Sequence, residues 1–447
     1  MKHAVLRILV AALSSCSSAA FAGNDLAPLA KTSPTRTQVE LDRAAALNYA
    51  HSYYDDDEDE EAAPAAAQEI WARMVENAWP DSMTPFVAHF QPGKSYLTLY
   101  KKFPVWPIDM RSPDRFKRSM TAHELANKSS IGHMSVGWSC EAAGQSRRSE
   151  GFAAQTGEDG GQSGEMMDSG WAVNSMISTF TDGRVQNGYN VQRYFSSEFI
   201  NHIENNKDPA PYFALVIEVP TGDCEKVREF VKAYVLHPSK PWKNFGMLPD
   251  PNKFEGAGCG SFAVAALSHA PSLAPILNTY WRTLPVPDKL LGLRTKAFLP
   301  NDVIPFRYAK MTSQEREIGK VKLILKNWDS GKVALNLHLV DPELTIYSFR
   351  KFAELAEASR DNASLTAYQV ENLNKTKRFY NFGSANDNDY PTIDHDRGFQ
   401  EIDASFDPSF AQVSSSIESW WNERRTTQHM HVVSIPFGVG VMVDSAR

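Results

Sequence analysis

Cysteine is scarce in this chain: four residues in 447. A scaffold built on disulfides is therefore excluded. Cys16 falls in the first 22 residues, which leaves Cys140, Cys224 and Cys259. An odd number leaves at least one thiol unpaired. A Cys140–Cys224 pair with Cys259 free, and three unpaired thiols, are both open. Long apolar runs are also missing. None reaches the ~18 residues of a membrane helix. Positive charge is not in excess, since 46 Lys and Arg face 53 Asp and Glu for a net charge of −7. That balance argues against nucleic acid as the natural partner.

What remains is ordinary globular material, 42% hydrophobic and 22% charged. The length suggests two or three domains with ample core. Residues 1–22 read as a signal peptide. Lys2, His3 and Arg7 open it, Ile8 to Leu13 form a short apolar segment, and Ala20-Phe21-Ala22 is a small-x-small cleavage site. A competing reading takes Leu13-Ser14-Ser15-Cys16 as a lipobox, with Cys16 lipidated. Either way the expected location is secreted or periplasmic, an oxidising compartment. Residues 23–84 form an acidic, partly disordered segment that contains seven consecutive acids, Asp55 to Glu61. A helix is expected over Gln68 to Ala78.

The chemistry gathers around Gly256-Ala257-Gly258-Cys259-Gly260-Ser261-Phe262. The glycines permit a sharp turn, and the apolar run after them predicts a short buried helix ending before Pro271. Cys259 then stands at a helix N-terminus, where unpaired N–H groups and the helix dipole favour the thiolate and offer an oxyanion site. A cysteine at a tight helix start also serves plain packing.

A thiol nucleophile needs a base. His269 lies ten residues along the same helix, roughly 15 Å away, and cannot serve. His237 and His123 fall in loops. His133 follows a glycine at the start of a strand, where its side chain can project from the end of a sheet. Around it, strands are expected at Tyr96–Tyr100, Ile131–Trp138, Gly151–Gln155, Trp171–Phe180 and Tyr212–Val219. The last is nearly continuous in apolar residues and should be central. A helix capped by Asp223 carries the stripe Val227, Phe230, Val231, Tyr234 and Val235. The Gly-rich segment 156–170 reads as a mobile substrate-gating loop.

From about Pro285 the pattern changes. Strands at Lys320–Lys326 and Val333–Val340 are expected to form a hairpin, with helices at Phe349–Glu357 and Ile417–Arg425 and strands within His431–Val443. His429-x-His431, with Asp394-His395-Asp396 upstream, has a weak metal-ligand look without a closed ligand set.

The order of a Gly132-His133-Met134-Ser135-Val136 strand, an apolar strand, an amphipathic helix and a Gly258-Cys259-Gly260-Ser261-Phe262 helix start resembles the circularly permuted branch of the NlpC/P60-like papain-fold hydrolases. The resemblance covers about residues 85–285. It implies a papain-like domain with an antiparallel sheet and packed helices over 85–285. With the changed pattern after Pro285 read as a second, C-terminal α+β domain over 286–447, the expected fold class is α+β. The resemblance implies Cys259 as nucleophile and His133 as base. The family's third, polar residue maps best to Gln155, with Glu150 and Glu158 as rivals. The expected activity is cleavage of an amide bond of peptide or peptidoglycan type, with no cofactor. A lipid acyl hydrolase or transferase of the same fold, or a binding module without turnover, are the alternatives. The expected partners are a cell-wall peptide or a lipid substrate.

Overall fold

The structure is a computed structural model. It describes residues 83–104, 108–125, 132–141, 148–157, 177–181, 183–188, 212–292, 303–304, 318–359, 365–376, 407–435 and 438–445, with positions 71, 79 and 173. The expected signal peptide, nearly all of the expected 68–78 helix, the expected gating loop beyond Gly157 and Asp394-His395-Asp396 lie outside these residues.

The fold is mixed α+β around a seven-stranded sheet. Its strands are β1 (Ser95–Lys102), β2 (His133–Cys140), β3 (Ser149–Thr156), β5 (Arg184–Gln186), β6 (Tyr212–Val219), β10 (Gln428–Ile435) and β11 (Gly438–Ser445), in the order β10-β11-β6-β1-β2-β3-β5. All neighbours run antiparallel except β6 and β11. Alternation explains why β6 reads as a continuous apolar run. Phe213, Leu215, Ile217 and Val219 enter the main core on one face, and Tyr212, Ala214 and Val216 enter a smaller cluster on the other.

Helices α2 (Thr221–Leu236) and α3 (Cys259–Ser268) cover the first face. All five residues of the α2 stripe are buried, as its periodicity predicts. Each such side chain is worth about 1.5–3 kcal/mol of burial. Asp223 does not cap this helix. Pro220 holds that position, and the Asp223 carboxylate accepts instead from the N–H of Ser272 at 3.0 Å. A disulfide joins Cys140, at the end of β2, to Cys224 in the first turn of α2, so of the two open pairings the structure takes this one. Cys259 is the free cysteine among the described residues.

The expected boundary at 285/286 does not divide the fold. It falls inside β7 (Trp281–Pro287), which pairs with β9 (Val333–Val340), and β10 and β11 complete the main sheet. Helix α5 (Pro342–Ala358) also belongs to the main core, its Phe349 ring 4.7 Å from that of Phe213. Nothing in local pattern announces that β11 will pair with β6, more than 200 residues upstream.

Two further expectations are corrected. Lys320–Leu325 is a helix, α4, rather than half of a hairpin. Its inward residue Leu323 joins Ile318 and Trp328 in a second cluster under the β7–β9 ribbon. Of the strand expected over Trp171–Phe180, the described residues Val173 and Ile177 are helical, and Thr179–Phe180 form β4, paired with β8 (Val303–Ile304). The remaining longer helices are α1 (Pro113–Leu125), α6 (Ala367–Thr376) and α7 (Pro408–Arg424). Among the described residues, no helix is long and apolar enough to cross a membrane.

Candidate functional site

Cys259 is the first residue of α3, as its glycine-rich approach predicts. That approach is pinned. Gly256 has φ +131°, and a Cβ there would stand 2.4 Å from the carbonyl oxygen of Asn244. The N–H of Ala257 donates to that same oxygen at 3.1 Å. Gly258 caps the helix, and its N–H donates to Ser261 Oγ at 3.0 Å, which lies 3.1 Å from the Gly258 carbonyl oxygen.

The pinned turn presents the Cys259 thiol, half-buried, to the head of β2. The backbone N–H groups of Met134, Gly260 and Cys259 itself stand near the sulfur and favour its charged form. The ammonium of Lys101 also acts on the sulfur. Burial pushes the thiol up from its ordinary value, and those donors with Lys101 pull the other way without offsetting it. The helix start therefore supplies donors, but in this state burial outweighs them and the thiol stays protonated at neutral pH.

His133 is the first residue of β2, one residue from the N–H that reaches the sulfur, and is paired in register with Lys102. Burial, then Lys102 and Lys101, lower its imidazole to about 3, so the ring is neutral at physiological pH. Alternation along β2 sends Met134, Val136, Trp138 and Cys140 to the helix-covered face. His133, out of phase with them, belongs to the opposite face beside Lys102. The backbone of the 133–134 step thus meets Cys259, while the imidazole starts out on the other side of the strand.

Gln155 is not an orienting partner of His133. It is fully buried, its Oε1 accepts from the Tyr234 hydroxyl at 2.6 Å, and its Nε2 donates to the carbonyls of Asn244 at 2.9 Å and Trp242 at 3.2 Å. The Asn244 oxygen thus receives both Gln155 and the Ala257 N–H. Gln155 braces the cysteine turn from the neighbouring strand. Glu150 is ruled out by position, since it pairs with Ser139 at the far end of β2, about 20 Å from His133, and accepts from the Ser139 hydroxyl. Glu158 lies outside the described residues.

Lys101 joins the site although no motif singles it out. The signal was there: Leu97, Leu99 and Phe103 all face the helix side, and Lys101 occupies an inward position among them. It is buried, and its Nζ donates to Thr345 Oγ1 at 2.6 Å and to the Pro342 carbonyl at 3.3 Å. Among the alternative histidines, His269 stacks on Phe230 at 4.3 Å and His237 on Phe254 at 4.5 Å. His431 lies on β10 with its Nδ1 3.8 Å from Asp444 Oδ1. Among the described residues, no group of three or more His, Cys, Asp or Glu side chains is arranged to hold a metal ion.

No protein-family model, curated protein or solved structure matches this chain.

Proposed function

We propose that the chain is an exported cysteine hydrolase acting on an amide bond of peptide or peptidoglycan type, built as a circularly permuted NlpC/P60-like, papain-fold enzyme. The observation that carries this reading is the meeting of a helix-start cysteine with the head of the strand that His133 opens. The Cys140–Cys224 disulfide adds support for maturation in an oxidising compartment.

In the proposed reaction the Cys259 sulfur attacks the amide carbonyl carbon, and its proton passes to His133. The N–H of Cys259 steadies the oxyanion. Collapse breaks the C–N bond, and the proton on His133 leaves with the amine. Water, deprotonated by His133, then cleaves the thioester, releasing the acid and restoring the thiol. Lys101 favours the thiolate electrostatically. For His133 to reach the sulfur its ring swings around the first residue of β2. Gly132, with φ +87°, is the pivot, and a Cβ there would stand 2.7 Å from the Lys102 carbonyl oxygen.

The raised thiol and lowered imidazole favour a second reading, a binding module in which Cys259 only packs. Peptidoglycan fragments and phospholipids, incubated in parallel and analysed by mass, separate the readings. New amine and carboxylate termini from the peptides, absent with Cys259→Ala, support the amidase. Fatty acid release alone moves the activity to lipid acyl cleavage. No turnover, with Cys259 inert to alkylation in the folded protein, favours the binding module.

A further inference from the structure

Helix α4 is apolar on two sides. Leu323 anchors the inner side in the second core, where the Trp328 indole donates to its carbonyl at 3.0 Å. On the outer side Val321 and Leu325, one turn apart, are 68% and 76% exposed, and Val333, which opens β9, is 46% exposed. An apolar helix face is ordinarily covered. Here lysines stand near the exposed side. Lys322 and Lys332 are exposed, Lys289 Nζ lies 2.6 Å from Ser330 Oγ, and Lys326 Nζ donates to the Lys289 carbonyl at 2.8 Å. Residues 318–333 hold four lysines and one acid in a chain of net charge −7. That acid, Asp329, accepts from the Ser112 hydroxyl and the Asp114 N–H.

We propose that α4 and the start of β9 form a docking surface for an anionic lipid bilayer. Alkyl side chains enter the acyl boundary while lysine stems extend along it and place their ammonium groups among anionic headgroups. A second copy of this chain is a poor occupant, because a two-fold contact would press one lysine ring against another. Strand β9 runs eight residues from this surface to Val340, which lies 3.6 Å from the Cβ position of Gly260. The docking surface is thus about 23 Å from the Cys259 turn along the strand, and docking does not depend on the cysteine chemistry.

The test is flotation of the full chain with vesicles of phosphatidylcholine alone and of phosphatidylcholine mixed with phosphatidylglycerol. Binding to the mixed vesicles is expected, falling about tenfold with Val321→Glu/Leu325→Glu, with Lys322→Glu/Lys332→Glu, or at high salt. Both variant pairs alter exposed residues, and unchanged thermal unfolding establishes that they fold. No binding to mixed vesicles, equal binding to neutral ones, binding untouched by either pair, or a change in oligomeric mass caused by the pairs would each overturn the proposal.

Discussion

The main-chain N–H of Met134 stands near the sulfur of Cys259 and favours its charged form. This one contact joins the head of a central strand to the start of a buried helix, and it brings the chemistry of α3 within one residue of His133. The same sulfur feels Lys101, which also acts on the His133 imidazole. One buried ammonium therefore biases both groups toward the forms a nucleophile and a base require: thiolate and neutral ring.

Replacing Lys101 with Met is expected to push the Cys259 thiol further up, since a nearby positive charge is lost. Alkylation of Cys259 at pH 8 should then slow. Alkylation followed across pH by mass spectrometry checks this, and an unmoved profile in folded protein would remove Lys101 from the site.

Gln155→Leu is expected to cost about 2 kcal/mol of stability, because buried carbonyls and the Tyr234 hydroxyl lose a partner. Urea unfolding measures it. Cys259 alkylation should change as the turn loosens. Full stability combined with a shifted imidazole pH dependence would return Gln155 to the role of orienting His133.

Arg282 bridges two helix N-caps, its guanidinium donating at 2.6 Å to both Asp341 and Asp407. Arg282→Met leaves both largely buried carboxylates without that partner and is expected to cost roughly 3–5 kcal/mol. A loss below about 1 kcal/mol would mean that the caps hold without it.

Acid stability reports on His133. Its folded value of about 3 lies below the usual imidazole range, so between about pH 6.5 and 3 the unfolded chain binds a proton that the native protein does not. Stability should therefore fall as pH drops through that window, at up to about 1.4 kcal/mol per unit from this residue. His133→Gln should flatten the slope. An equal slope in the variant would place the ring in solvent.

Legibility in the sequence followed periodicity. The α2 stripe, the α3 start and strands β1, β2, β3 and β6 are governed by local alternation, turn residues and burial, and each lies close to where its pattern puts it. Lys320–Leu325 failed because a six-residue alternating run fits a helix anchored by Leu323 as well as a strand. The unity of the sheet across residue 286 was illegible because it depends on pairing between distant segments. At the site, Cys259 and the strand-start position of His133 were legible. The role of Gln155 was not, because its amide is claimed by Tyr234, Trp242 and Asn244, contacts that only tertiary packing creates.

The central claim is that Cys259 and His133 work as one unit, and turnover of a peptidoglycan-type amide by Cys259→Ala, His133→Ala and the double variant tests it most directly. Residues acting together lose nearly everything on the first substitution. The account predicts that each single variant is nearly inactive and the double variant little worse, all three remaining folded. Retained turnover in Cys259→Ala, or losses that simply multiply in the double variant, would contradict it.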